Sequence, residues 1–298
     1  MAITLRQLEI FEKVAKCEHV TQASSQLFIT QSAVSMSISE LERLAGAPLF
    51  ERHGKRLLLN DRGRRILPEA EEVIRRVKEI EQFLDDSVGE PRGTLNVGAS
   101  TTIGNYILPD IVAEFSRGYP KAKVLLTIGN AQQIENALES GDLDVGLIEG
   151  IPHSSILDTA AWRNDELVVV VGKSHPWVIN KSVTADMLQS ALWIMREKGS
   201  GTREVFEAAM AMGNVEFSIY LELGHTEAIQ KAAEAGLGVG CLSRIAVKRE
   251  LEHGWLVEIK CPLDLRRTLS IQTRKSGFKT RLLQEFLFLL NKYQDFNT

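Results

Sequence analysis

The chain has 298 residues, of which 44% are hydrophobic and 25% are charged, as in globular proteins with two or three modest domains. No apolar run is long enough to cross a bilayer, and the N-terminus lacks the layout of a signal peptide, so we expect a cytoplasmic protein without a membrane partner. Cys17, Cys241 and Cys261 are far apart in sequence, which argues against a structural zinc site or a disulfide framework.

The net charge of −4 is distributed unevenly along the chain. Residues 1–65 contain ten Lys and Arg against seven Asp and Glu, whereas residues 66–92 contain four against eight. The basic excess is concentrated between Arg43 and Arg65, with seven positive residues against two negative ones. Contact with nucleic-acid phosphates requires only a local positive surface, so the overall negative charge does not exclude DNA binding.

Three helical patterns precede Gly46. Residues 5–16 carry apolar side chains at helical spacing, and Thr4 is a suitable N-cap for them. Thr21 and Thr30 are the predicted N-caps of the second and third helices, and Gly46 is the residue at which the third helix ends.

The third helix carries short hydrogen-bonding side chains in its first turns, including Gln31, Ser32 and Ser35. Small side chains allow a helix backbone to approach DNA, while amides and hydroxyls reach phosphates and base edges. An ordinary serine-rich surface helix is the alternative. The pattern favours a helix that enters a DNA groove.

A basic hairpin follows at residues 51–59. Two short extended segments are joined at Gly54, and Arg52, Lys55 and Arg56 are predicted to point outward from this wing. Basic side chains at such a tip reach backbone phosphates or a minor groove, although a solvated charged turn has the same composition. The adjacent helix pair favours the DNA-binding interpretation.

Residues 1–65 resemble the winged helix-turn-helix of LysR-type transcriptional regulators. The resemblance rests on the segments Leu5-Arg6-Gln7-Leu8, Gln31-Ser32-Ala33-Val34-Ser35, Leu41-Glu42, Leu49-Phe50-Glu51-Arg52 and Asn60-Asp61-Arg62-Gly63. One departure is Ser24, at a position where the family usually has alanine. The resemblance implies that Gln31, Ser32, Ser35 and Arg52 contact DNA. The complete predicted DNA-binding set is Thr21, Gln22, Gln31, Ser32, Ser35, Arg52, Lys55 and Arg56.

A single long helical pattern runs from Gly63 to about Val88. Its apolar residues at a/d spacing are Leu67, Ala70, Ile74, Val77, Leu84 and Val88, and a second line consists of Ile66, Val73 and Ile80. Packing against the rest of the chain is one interpretation of this stripe. Pairing with the same helix of a second subunit is favoured, because two DNA half-sites require two DNA-binding domains at a fixed spacing. The family resemblance also implies a linker-helix dimer, and a homotetramer formed through the effector domains.

Strands alternate with helices after residues 90–93, as in an α/β domain with parallel sheets. A single helix is predicted from near Thr101 to just before Gly118. Two similar units, with chain crossings near Ala160 and Leu265, resemble the Rossmann-like effector subdomains of periplasmic-binding-protein type in LysR regulators. The predicted domains are the winged helix-turn-helix at 1–62, the linker helix at 63–91 and the effector domain at 92–298, with subdomain I at about 92–160 and 266–298 and subdomain II at about 161–265.

Two loops have the features of an anion site. One is Ser100-Thr101-Thr102 at a helix start, and the other is Gly199-Ser200-Gly201-Thr202-Arg203, in which the glycines permit close backbone approach. Hydroxyls, unpaired N–H groups and the positive end of a helix all favour a small anion. Arg203 either adds donors to this site or pairs with an acid on its own helix.

Three further residues are predicted to line the same cleft, because ligands of open α/β sheets lie beyond the strand ends. Asn130 and Glu149 follow first-lobe strands, and Glu149 would orient Arg203 or accept a proton from a monoanion. His225 opens a helix, where it either caps the helix or titrates near the ligand.

A narrower resemblance, carried by the segments 100–109, 196–204 and 240–244, is to the YeiE-type branch of the LysR family. That branch is associated with small sulfur oxyanions, which implies sulfite as a co-inducer and no other cofactor. His225 departs from the asparagine that is frequent in such proteins, and a small carboxylate is the alternative effector. The implied partners are double-stranded DNA at interrupted inverted repeats, further copies of the chain and, as an additional candidate, RNA polymerase.

Two other classes of protein are alternatives to a regulator. An α/β anion-binding enzyme is disfavoured because residues 199–202 lack a P-loop ending, and the glycines at 236–240 follow a helix instead of a strand. No catalytic constellation or metal cluster stands out in the sequence. A solute-binding protein would account for residues 93–298 but not for the DNA module.

Overall fold

The computed structural model describes residues 3–86, 91–276 and 279–294. The chain divides into two compact units, residues 1–87 and 88–298. The elements of the first unit are α1 (Leu5–Cys17), α2 (Val20–Leu27), α3 (Gln31–Ala45), β1 (Phe50–His53), β2 (Arg56–Leu59) and α4 (Asp61–Asp86). The predicted winged helix-turn-helix and linker helix are therefore confirmed as elements.

Two of the predicted helix caps are confirmed and one is wrong. Thr4 and Thr30 accept hydrogen bonds from the backbone N–H groups of the first turns of α1 and α3. Thr21 does not cap α2, because that helix already begins at Val20 and His19 occupies the N-cap position. The carbonyl of Thr21 instead accepts hydrogen bonds from two serine hydroxyls within the helix.

The apolar residues of α4 are partly buried in the first unit and partly exposed to solvent. Ala70 and Ile74 are buried, and Ala70 belongs to the apolar core formed around Phe11 in the first unit. Val73 and Ile80 remain 46% and 59% exposed, respectively. The side chain of Leu84, and Val88 altogether, lie outside the described residues. Ile66 and Leu67 pack against the same core. Part of the predicted self-pairing face therefore packs within its own chain, and Val73 and Ile80 are left at the surface.

The second unit is an α/β domain, as predicted. Its elements are β3 (Gly93–Ser100), α5 (Thr101–Tyr106), α6 (Leu108–Gly118), β4 (Ala122–Gly129), α7 (Ala131–Glu139), β5 (Val145–Glu149), β6 (Leu157–Gly172), α8 (Ala185–Gln189), β7 (Trp193–Met195), α9 (Gly201–Met212), β8 (Ile219–Glu222), α10 (Thr226–Glu234), β9 (Val239–Ser243), α11 (Arg244–Glu252), β10 (Leu256–Ile259), β11 (Arg266–Arg274) and α12 (Arg281–Lys292), with a short 3₁₀ turn at Pro176–Val178. No helix of the described segments is long and apolar enough to cross a membrane.

The strands form one mixed sheet in the order β4-β3-β5-β11-β6-β9-β7-β8, and β10 adds to β6. The two outer groups, β4-β3-β5 and β9-β7-β8, are parallel and form the centres of two lobes. Between them, β11 and β6 pair antiparallel with each other and with their neighbours. The predicted chain crossings near Ala160 and Leu265 are therefore long strands shared by both lobes.

The single helix predicted after Thr101 is wrong. The structure has two helices, α5 and α6, because the backbone at Ile107 departs from helical geometry (φ −119°, ψ −52°) just before Leu108 and Pro109. A proline has no backbone N–H and its ring clashes with the preceding turn, so it begins a new helix more readily than it continues one. This break leaves α5 as a short helix at the end of β3.

Candidate functional site

A serine hydroxyl lies at the N-terminus of each of two helices of the effector unit, α5 and α9. Ser100 occupies the N-cap position of α5, and Ser200 occupies the N-cap position of α9. Both residues are buried, and neither hydroxyl has a hydrogen-bond partner among the described residues. A buried hydroxyl without a partner is costly, and both hydroxyls lie beside backbone N–H groups that a helix start leaves free.

Arg267 connects the two helix starts, although the sequence interpretation did not include it. Its guanidinium donates to Thr202 Oγ1 at 3.0 Å and to Thr102 Oγ1 at 3.4 Å. The same group donates to Asp165 Oδ2 at 2.7 Å and lies 3.5 Å from Glu149 Oε2. The predicted loops at 100–102 and 199–203 therefore meet at one buried cation.

Arg196 is a second buried cation that the sequence interpretation missed. It donates to Thr101 Oγ1 at 3.1 Å and to Thr226 Oγ1 at 3.4 Å, and so connects α5 with α10. Two further hydrogen bonds, of 2.8 and 2.9 Å, hold the carboxylate of Glu197. Burial acts to raise the pKa of Glu197, but Arg196 outweighs burial and lowers it below the usual range, so the carboxylate stays charged.

Arg203 faces carboxylates. Its guanidinium donates to Glu207 Oε1 and to Glu222 Oε2, each at 2.6 Å. Burial acts to lower the pKa of Arg203, but these two carboxylates raise it above its ordinary value. The arrangement matches the alternative in which Arg203 pairs with an acid on its own helix. Glu149 does not orient Arg203, because it pairs with Arg267 and accepts from Thr202 instead.

The remaining predicted residues lie around a cavity of about 500 Å³ between the lobes. Asn130 caps α7 and donates to Glu197 Oε1 at 3.2 Å. His225 is exposed at the N-cap position of α10, and its side chain makes no capping hydrogen bond. The residues that line the cavity are Thr101, Asn105, Ile128, Gly129, Asn130, Gln133, Arg196, Glu197, Gly224 and His225.

The glycines on both sides of Ser200 allow the close packing that the sequence predicts. Gly199 has a φ of +86°, a conformation that side chains disfavour. A Cβ atom at Gly201 would lie 1.8 Å from the carbonyl oxygen of Glu149, so any larger residue would push α9 away from the end of β5. The position of Ser200 therefore depends on both glycines.

The charges of this region are largely compensated. Arg196 pairs with Glu197, and Arg267 pairs with Asp165 and Glu149. Recognition of an anion would therefore rely on the free serine hydroxyls and helix N-termini, or on exchange of a carboxylate for the ligand. Across the described residues, no group of His, Cys, Asp and Glu is arranged to hold a metal ion.

All eight predicted DNA-binding side chains are exposed in the first unit. Ser32 shares a 2.9 Å hydrogen bond with the N-cap Thr30, which orders the start of α3. The wing is joined to the end of α1 by a hydrogen bond of 2.8 Å from Leu57 N to Glu18 O and by an ion pair of 3.6 Å between Arg56 and Glu18. The basic hairpin is therefore held beside the helix pair, with Arg52 and Lys55 facing solvent.

The Arg267→Ala substitution tests the buried ion cluster. It leaves two buried carboxylates without their cation, so we expect a loss of about 3–5 kcal/mol in the free energy of unfolding. Urea denaturation followed by the fluorescence of the buried residues Trp162 and Trp193 measures this change. The matched control is Arg266→Ala, because Arg266 pairs with Asp264 at the surface. Equal unfolding midpoints for the two variants would contradict the assignment.

Each of the two units matches a known protein family. Residues 5–64 match the family described as "Bacterial regulatory helix-turn-helix protein, lysR family", and residues 89–294 match "LysR substrate binding domain". The regulator YeiE of Escherichia coli (strain K12), described as an uncharacterized HTH-type transcriptional regulator, is 40% identical over 288 residues, which cover 96% of this chain and 97% of that protein. The predicted resemblance to the YeiE-type branch is thereby confirmed.

Two solved structures show the same architecture. Full-length CbnR in complex with its target DNA has a TM-score of 0.70 at 18% identity, covering 97% of this chain and 99% of that one. The regulatory domain of CcmR from Synechocystis PCC6803, in complex with 2-PG, has a TM-score of 0.64 at 26% identity, covering 69% of this chain and 99% of that one. The chain therefore belongs to the LysR family and is a DNA-binding transcriptional regulator with an effector-binding domain, not an enzyme.

Proposed function

We propose that a small anion, bound between the N-termini of α5 and α9, controls how this regulator binds promoter DNA. The observation that carries the proposal is the pair of buried hydroxyls of Ser100 and Ser200, which have no partner among the described residues. A ligand that accepts hydrogen bonds from both hydroxyls would remove two unfavourable polar groups at once. The bound 2-PG in the regulatory domain of CcmR supports a small-molecule site in this kind of domain.

Sulfite, or a related sulfur oxyanion, is the proposed effector. Its oxygens are acceptors arranged around one centre, which suits donors such as the hydroxyls of Ser100 and Ser200 and the free backbone N–H groups beside them. No Phe, Tyr or Trp lines the neighbouring cavity between the lobes, so nothing there suits a flat aromatic effector. Glu149 lies beside the site and would repel a dianion, whereas the monoprotonated form of sulfite can donate a hydrogen bond to it. The resemblance of segments 100–109, 196–204 and 240–244 to the YeiE-type branch implies this class of ligand. A small carboxylate is the alternative effector.

A ligand panel tests the effector proposal. The melting temperature of the full chain is measured with sulfite, sulfate, thiosulfate and small carboxylates, and sulfite should raise it most. A ligand at 100 times its Kd stabilises the native state by about 2.7 kcal/mol. Ser100→Ala and Ser200→Ala should each abolish most of the shift, because each variant removes one donor.

Ser140→Ala is the matched control for this panel. The Ser140 hydroxyl is exposed and already bonded to Ala137 O and Asp142, so its loss should leave the sulfite shift unchanged. A larger shift with a carboxylate than with sulfite would replace the proposed effector. A shift that survives both cleft substitutions would show that the anion binds elsewhere.

The DNA contacts are proposed to divide between α3 and the wing at each half of an interrupted inverted repeat. Gln31, Ser32 and Ser35 lie on the exposed face of α3 and have the donors and acceptors that base edges require. The wing residues Arg52, Lys55 and Arg56, together with Thr21 and Gln22 of α2, would contact backbone phosphates. This division separates sequence recognition from electrostatic affinity.

Two substitutions distinguish these roles in gel-shift titrations with a bound promoter fragment and a scrambled fragment. Gln31→Ala should weaken binding to the promoter fragment by about 1–3 kcal/mol and leave binding to the scrambled fragment nearly unchanged. Arg52→Ala should weaken both complexes and reduce the salt dependence of log Kd by about one unit. Arg117→Ala, an exposed arginine of the effector unit, serves as the control. The reverse pattern for Gln31 and Arg52 would contradict the proposed roles.

We propose that two copies of the chain pair through α4, so that the homodimer has two DNA-binding units. Val73 and Ile80 are exposed, lie seven residues apart and therefore share one face of the helix, as at equivalent heptad positions. A tetramer would need a second contact between effector units, for which the family resemblance is the support. Interrupted inverted repeats would match the two-fold symmetry of such a dimer.

The double substitution Val73→Glu/Ile80→Glu tests the dimer. Each subunit would bury two carboxylates at the seam, which should oppose pairing, so sedimentation equilibrium should show a lower mass than for the wild type at the same concentration. Neither side chain belongs to the buried core, so the melting temperature of the monomer should be retained. Glu69→Ala, at an exposed position of α4, is the control. An unchanged mass for the double variant would exclude this face as the dimer seam.

A further inference from the structure

Met36 is a large apolar side chain on the solvent-exposed face of α3. Met36 is 72% exposed and belongs to no buried cluster of the described residues. It lies four residues after Ser32 and three residues before Ser39, so these three side chains share a face of the helix. Ser32 is one of the proposed base-contacting residues, and Met36 therefore lies within the proposed DNA-reading surface.

The surroundings of Met36 distinguish it from an ordinary exposed apolar residue, which would need no explanation. Its neighbours on this face are Ser32, Ala33, Ser39 and Glu40. The first three have short side chains that allow the helix backbone to approach a partner closely, and Glu40 is held by Arg43. The longer methionine extends beyond the short side chains. A thioether has no hydrogen-bond donor and is a weak acceptor, so Met36 is unsuited to reading the polar edges of bases. Its flexible, polarizable side chain is suited to an apolar contact.

The major groove presents one apolar group, the C5 methyl of thymine. We propose that Met36 contacts this methyl and thereby selects thymine at one position of each half-site. The inference rests on the DNA-binding function of the protein and on the proposed position of α3 in the groove, and it adds a specificity-determining contact to them. Gln31 and Ser35 would recognise neighbouring positions by hydrogen bonds.

Replacement of thymine by deoxyuridine tests this contact, because it removes the methyl and keeps the base pairing. Each thymine of a bound promoter fragment is replaced in turn, and the affinity of the full-length protein is measured. One thymine of a half-site should lose about fourfold in affinity, as expected for one buried methyl-sized group. The same replacement should have no effect on the affinity of Met36→Ala. Met36→Leu, which keeps an apolar side chain, should retain most of the dependence.

Phe28→Ala is the matched control, because Phe28 is also a lone exposed apolar residue, 94% exposed in the turn before α3. It should respond to deoxyuridine as the wild type does. The inference is overturned if Met36→Ala keeps the full deoxyuridine effect, or if sequence-specific binding persists while no thymine methyl affects it. Absence of sequence-specific binding by the wild type would overturn both this inference and the proposed DNA contacts.

Discussion

The burial of one guanidinium is the constraint on which the effector unit depends. Arg267 is withdrawn from water, so its charge must be compensated and its donors satisfied inside the protein. Asp165 lies directly opposite it in the β11–β6 ladder, and Glu149 approaches from the end of β5. Its remaining hydrogen bonds go to Thr102 and Thr202. The ion cluster therefore requires the crossover strands and both helix starts to be in place together.

This arrangement leaves two buried hydroxyls available to the proposed ligand. Thr102 and Thr202 accept hydrogen bonds from Arg267, whereas the adjacent hydroxyls of Ser100 and Ser200 are not bonded within the described residues. An anion that satisfies them would interact with both lobes at once, and its binding free energy would depend on the lobe positions. Such differential binding is what allows a ligand to shift a conformational equilibrium.

Much of the architecture could be predicted from local sequence patterns, but the buried cations could not be assigned in that way. The chain crossings, the starts of α1 and α3 and the wing follow from periodicity and from turn residues. Arg196 and Arg267 carry no local motif, because their partners are brought to them by the sheet. A signal was available for Arg267, since strict alternation places it on the same strand face as Leu269 and Ile271, which are buried. The linker stripe shows the same limit: periodicity identifies an apolar face but not which part of it the chain itself covers.

Control of DNA binding by an anion is tested most directly by the affinity of sulfite for the full-length protein, determined by calorimetry with and without saturating promoter DNA. Thermodynamic linkage requires the Kd for sulfite to change on DNA binding by the same factor as the Kd for DNA changes on addition of sulfite. We expect two different sulfite affinities that obey this equality. Equal affinities of the free and DNA-bound protein for sulfite, or no sulfite binding at all, would contradict it.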